Sequence, residues 1–139
     1  MKIQLRGTPD FHFEATNPDN GYSFSVGASK SIGGDESGFR PMQVLLASVG
    51  GCSGIDVVNI LKKSRVEFDS LDVEVEGDRE PGAVPAPFKE VRLLFRVHGA
   101  NVDKAKVEKA VNLSVEKYCS AIASLNPAIR IKAIAEVTD

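Results

Sequence analysis

The stretch Pro41–Lys63, PMQVLLASVGGCSGIDVVNILKK, constrains what this chain can fold into more than any other part of it. It reads as one helix. Proline suits a first turn, and the closing Lys62–Lys63 pair suits the negative end of the helix dipole. Apolar residues fall on nearly every face, which predicts a helix buried all round. At about 1.5 Å per residue it would run roughly 33 Å, close to the full width of a globule this size. Six short strands and one other helix are too little to cover such a rod, and a second subunit is the simplest remedy. A bilayer is the rival remedy, because a span needs about 20 apolar residues. Gln43, Asp56 and Asn59 are costly in lipid and three glycines weaken the helix, so the membrane is rejected as a partner.

The rest of the chain supplies those strands. Ile3 and Leu5 alternate with polar neighbours, as do Phe11, Phe13 and Ala15, then Tyr22, Phe24 and Val26. Later come Leu71, Val73 and Val75, then Val91, Leu93, Phe95 and Val97, and last Ile129, Ile131, Ala133, Ala135 and Val137. Alternation of this kind predicts strands with one dry and one wet face, hence antiparallel sheet. The wet face of the fourth strand is acidic and those of the fifth and sixth are largely basic, which predicts that they are neighbours. A second helix is predicted over Asp103–Leu125, capped by Asp103 and stopped by Asn126-Pro127. Its buried stripe is Val107, Ala110, Val111, Ser114, Tyr118, Ile122 and Leu125, with Cys119 beside it. Gly27–Phe39 and Asp78–Pro87 read as loops. Three strands, helix, two strands, helix, strand is an α+β order, and 139 residues suit a single domain over 1–139.

Charge and cysteine count exclude several functions. Lys plus Arg is 17 against 19 for Asp plus Glu, a net charge of -2 with no basic run, which argues against nucleic acid as a partner. Two cysteines are too few for a disulfide-stapled scaffold. The amino-terminal segment MKIQLRGTPDFHFEATN has no apolar signal core and no small-residue cleavage site. These features predict a cytoplasmic chain with both thiols reduced.

Cys52 is where chemistry concentrates. It sits in Gly50-Gly51-Cys52-Ser53-Gly54, where small residues admit a close backbone and leave space beside the sulfur. If the glycines interrupt the helix, Cys52 would stand near free backbone N–H groups that stabilise a thiolate. Asp56, one turn on, shares its face, and a charged carboxylate there disfavours a thiolate unless a cation pairs with it. Cys119 lies on the other helix. Each cysteine taken alone also fits a small buried hydrophobe. Taken together, one on each of two core helices, they fit a nucleophile and its resolving partner. No metal is expected, because two His and two Cys, all far apart, give no ligand spacing. His12 and His98 fall on predicted wet faces, and the glycine pairs lack the context of a phosphate loop.

The run from Arg40-Pro41-Met42-Gln43 through Leu45-Leu46-Ala47 to Gly50-Gly51-Cys52-Ser53, followed downstream by Glu116-Lys117-Tyr118-Cys119-Ser120, resembles the OsmC/Ohr family, and within it the YhfA subgroup. The resemblance implies antiparallel sheets wrapped around two central helices in an intertwined homodimer. It also implies a cofactor-free thiol peroxidase in oxidative-stress defence. Cys52 would be the peroxidatic cysteine and Cys119 the resolving one. Organic hydroperoxides would be the substrates, and an unidentified dithiol would be the reductant. Active branches place a Glu directly after the motif proline and pair it with an Arg from the amino-terminal region; here that position is Met42, which cannot hold a guanidinium by charge. Arg40, Met42 and Asp56 are the candidate binding residues. The alternative expectation is a catalytically weak or inactive protein of the same fold, binding a small apolar or thiol-reactive ligand at the dimer interface.

Overall fold

Strand alternation and the long apolar helix recur in the computed structural model, which describes all residues from Met1 to Asp139. The order is β1 (Gln4–Thr8), β2 (His12–Thr16), β3 (Ser23–Gly27), α1 (Pro41–Lys63), β4 (Ser70–Arg79), β5 (Phe88–His98), α2 (Lys104–Leu113), a π turn (Ser114–Tyr118), α3 (Ser120–Ala123) and β6 (Arg130–Thr138). Two compact units result, Met1–Leu45 and Leu46–Asp139, with the division inside α1.

The first unit is an antiparallel meander, β1-β2-β3, whose register sets Leu5 opposite Ala15 and Ala15 opposite Phe24. Ala15 is buried, but Leu5, Phe13 and Phe24 remain 58%, 43% and 42% exposed, so the apolar face of this sheet is not dry within the chain. The loop after β3 returns to it through Phe39, which bridges to Val26, and Gly38 adopts a positive φ where a Cβ would meet the Ser25 carbonyl oxygen at 2.5 Å.

In the second unit β5 is central, in the order β4-β5-β6. The predicted charge complementarity pairs these strands: Arg92 binds Glu76 and Asp78, Arg96 binds Glu74 and Glu136, and His98 meets Asp72. β4 and β5 are antiparallel as expected, but β6 runs parallel to β5. The intervening α2 is the physical reason, since a helical crossover returns the chain to the end where the previous strand began. Val91, Leu93, Phe95 and Val97 of β5 form the core with Val49, Val57 and Leu61 of α1 and Val107, Ala110 and Val111 of α2.

Both helices depart from expectation. α1 is unbroken through Gly50 and Gly51, but within the chain it buries one stripe (Val49, Gly50, Ser53, Gly54, Val57, Leu61) rather than its whole circumference. The stripe lies on β4, so closely that a Cβ on Gly50 would stand 2.7 Å from Val75 Cγ2. By length and composition α1 is long and apolar enough to cross a membrane, and 28% of that window is buried inside the chain. The predicted helix over Asp103–Leu125 is three pieces. Asp103 does cap it, accepting from the Ala105 and Lys106 N–H groups. After Leu113 the backbone widens into the π turn, and Cys119 is extended (φ -68, ψ 102) before one further turn.

Candidate functional site

Two buried serines hold the centre of the second unit. Ser53, on the buried stripe of α1, donates from Oγ to Cys119 Sγ at 3.2 Å. Ser114, fully buried at the start of the π turn, has its Oγ 3.2 Å from both the Ser53 carbonyl oxygen and Asp56 Oδ2, so one hydroxyl proton is shared between two acceptors. The π turn makes this fit. It advances the chain by one residue relative to an α-helix, and its closing bond, Cys119 N–H to the Ser114 carbonyl at 2.8 Å, sets Cys119 directly beyond Ser114.

Cys52, half-buried on α1, and Cys119, 3% exposed, are both free thiols. Their Sγ atoms and a carboxylate oxygen of Asp56 all lie within 4.8 Å of one another. Cys52 and Asp56 share a helix face at i, i+4, as their spacing predicts. The fold thus brings together three of the five candidate residues. Ligand spacing in the sequence gives no hint of this, because the third member arrives from a separate element.

The glycines do not interrupt α1, so Cys52 does not stand at a helix start. That place belongs to Cys119, whose sulfur caps α3 by accepting from the Ile122 N–H at 3.4 Å. Burial pushes the Cys119 thiol above its ordinary pKa. The bonds from Ser53 and Ile122 pull the other way, and the neighbouring Cys52 adds to the rise. No ion pair of this chain involves Asp56, whose polar contact is Ser114. Asp56 also lines a pocket of about 450 Å³ with Asn59, Lys63, Leu113 and Tyr118 among others.

Met42 is in the first turn of α1, nearly three turns before Cys52 at about 3.6 residues per turn, and Arg40 immediately precedes the helix. Arg40 is engaged locally. Its backbone N–H and Nε donate to Gln43 Oε1 at 2.9 and 3.3 Å, its Nη2 donates to the Gly38 carbonyl, and it pairs with Glu36. Met42 is half-buried and brings no charge. The histidines are likewise occupied, His12 with Ser37 and His98 with Asp72 and Thr138. Sequence reasoning missed the roles of Ser53 and Ser114. The available signal was a hydroxyl on each buried stripe, since a buried Oγ needs a partner.

Comparison with known proteins agrees with this architecture. Residues 33–133 match the family model described as OsmC-like protein. Protein YhfA of Escherichia coli strain K12 is 42% identical over 91 residues, covering 66% of this chain and 67% of that protein. Among solved structures, a hypothetical protein from Aquifex aeolicus VF5 superposes with a TM-score of 0.84 at 31% identity, covering 99% of this chain and 95% of the other. The organic hydroperoxide resistance protein OhrB of Bacillus subtilis shares the fold at 20% identity, with a TM-score of 0.65 and coverage of 99% and 96%.

Proposed function

We propose, from the premise that this chain belongs to the OsmC-like family, that it is a cytoplasmic, dimeric thiol peroxidase acting on organic hydroperoxides. The observation that carries this reading is the convergence of Cys52 and Cys119, 67 residues apart in sequence, to within 4.8 Å. The Cys52 thiolate attacks the peroxide O–O bond, becomes a sulfenic acid, and releases an alkoxide that takes up a proton as alcohol. The Cys119 thiol then attacks the sulfenic sulfur, giving a disulfide and water. An external dithiol reopens the disulfide by exchange and leaves as its own disulfide.

Exposure supports this division of labour. Cys52 faces solvent in part, whereas Cys119 is buried and kept protonated until its partner is oxidised. Disulfide closure requires the sulfurs to meet at about 2.05 Å. The extended backbone at Cys119, between a π turn and a single helical turn, is where that adjustment falls. A second copy of the chain supplies the cover that α1 lacks. Ile55 on α1 is 72% exposed, beside an apolar depression formed with Val58, Phe68, Leu71 and Val73.

The test is steady-state reduction of cumene hydroperoxide with dithiothreitol as reductant. Cys52→Ser is expected to abolish turnover and Cys119→Ser to leave a sulfenic acid trappable by dimedone. Unchanged turnover in Cys52→Ser would sink the reading. Met42 in place of the family's Glu favours a second reading, a ligand binder of the same fold. Thermal stabilisation by fatty-acyl ligands that persists in Cys52→Ser, without turnover in the wild type, would select it.

A further inference from the structure

Three side chains that can bind a metal meet at the centre of the second unit, and none of them is in an ion pair. Cys52 Sγ, Cys119 Sγ and an Asp56 carboxylate oxygen are mutually within 4.8 Å, and Asp56 makes no ion pair. Three such ligand atoms converging on one point form a geometry that suits a cation. Their surroundings serve the acceptor forms. Ser53 Oγ and the Ile122 N–H both donate to the Cys119 sulfur, and Ser114 Oγ donates to Asp56 Oδ2.

We propose that this cluster is a site for a thiophilic divalent cation of the zinc type, with Cys52, Cys119 and Asp56 as its three protein ligands. Zinc takes thiolate sulfur at about 2.3 Å and carboxylate oxygen at about 2.0–2.2 Å, so tetrahedral ligand atoms lie roughly 3.5–3.8 Å apart. The side chains need shift by only about 1 Å to reach that arrangement. Two thiolates make the site soft, selecting against magnesium and calcium. Cys52 and Asp56 at i, i+4 offer two ligands from one helix face, a spacing that suits a tetrahedral metal. The hydroxyls of Ser53 and Ser114 orient the other shell of the site, as outer partners of metal ligands do.

Access is also present. Cys52 and Asp56 are half-buried, and Asp56 also lines a pocket of about 450 Å³ through which solvent reaches its carboxylate. Loading exchanges the two thiol protons for the metal and releases them to solvent. Oxidation of the pair to a disulfide removes both sulfur ligands, so metal-loaded and oxidised chains exclude each other. The site rests on this geometry alone and not on peroxidase activity.

The test uses the full chain, reduced and chelator-stripped, titrated anaerobically with cobalt(II) and then with zinc against a chromophoric chelator. About one ion per chain is expected, with thiolate-to-cobalt charge-transfer absorption and tetrahedral d–d bands. Asp56→Asn, nearly isosteric, is expected to weaken binding at least about 10-fold with the charge-transfer band retained. Cys52→Ser is expected to remove much of that band, and the preformed disulfide to abolish it. Circular dichroism checks that each variant is folded; if Cys52→Ser is not, Asp56→Asn and the disulfide form decide. Absence of the charge-transfer band in the reduced wild type would overturn the proposal. So would binding that is equal in wild type, Asp56→Asn and the disulfide form, which would place the ion elsewhere. Neither measurement involves a peroxide, so failure here and failure of the peroxidase reading are separable.

Discussion

Cys119 is 3% exposed and its thiol is held above the ordinary value by burial, while Cys52 is half-exposed on α1, so the two cysteines of one site differ in reactivity through their surroundings alone. In the reduced chain, iodoacetamide at about pH 8 is expected to label Cys52 at least about 10-fold faster than Cys119. Peptide mass mapping over time checks the order. Glu90 makes a separate prediction. Its carboxyl, 10% exposed, is held down to about 2 from an ordinary 4.5 by Lys132, Arg92 and Arg130. A lowered acid stabilises the fold fully above its ordinary value, and that contribution is lost as pH falls through about 2. Glu90→Gln should therefore melt below wild type near neutral pH, with the gap closing between 4.5 and about 2, as a calorimetric pH series would record. At this scale the cysteines were legible because a thiol's chemistry travels with its residue type. Ser53 and Ser114 were not, because a serine becomes part of a site only through the partner it meets.

α1 shows how far periodicity carries an element. Its bounds, Pro41–Lys63, followed from Pro, the apolar run and the lysines, and the structure reproduces them. Its unequal faces did not follow, since an all-round apolar pattern does not say which stripe meets β4. Gly50 marks that stripe. An added Cβ would press on Val75 Cγ2 at 2.7 Å, and this branched side chain has little room to give. Gly50→Ala should cost about 1–3 kcal/mol from overpacking, against a helix-propensity gain of about 1 kcal/mol. Gly51, with nothing within 4 Å in the chain, lacks that clash. Urea melts of the two variants make the comparison. The break before Cys119 escaped sequence reading because Glu116-Lys117-Tyr118 is ordinary helical sequence; tertiary contacts of Ser114 and Cys119 with α1 favour the π turn there. The parallel seat of β6 escaped for a similar reason, since alternation reports a strand's faces and not its direction.

For the whole molecule, the exposed apolar residues of the single chain set the expectation. Leu5 and Phe24 on the first sheet and Ile55 on α1 are 58%, 42% and 72% exposed. A dimer that covers α1 should appear in sedimentation velocity at micromolar concentration, and Ile55→Asp should shift it toward monomer by placing a charge in an apolar interface. The α+β class and the family were legible from the order of elements and from the two cysteine motifs, which belong to well-separated stretches. Met42 was equally legible as a departure from the family's Glu. Whether Cys52 and Cys119 act as one redox pair is decided by a single-turnover oxidation. The reduced chain is mixed with about one equivalent of cumene hydroperoxide, quenched by alkylation, and read by intact and peptide mass. A Cys52–Cys119 disulfide is expected to form in step with the loss of peroxide. Peroxide loss with both cysteines still alkylatable, or no reaction while Cys52 remains free, would contradict it.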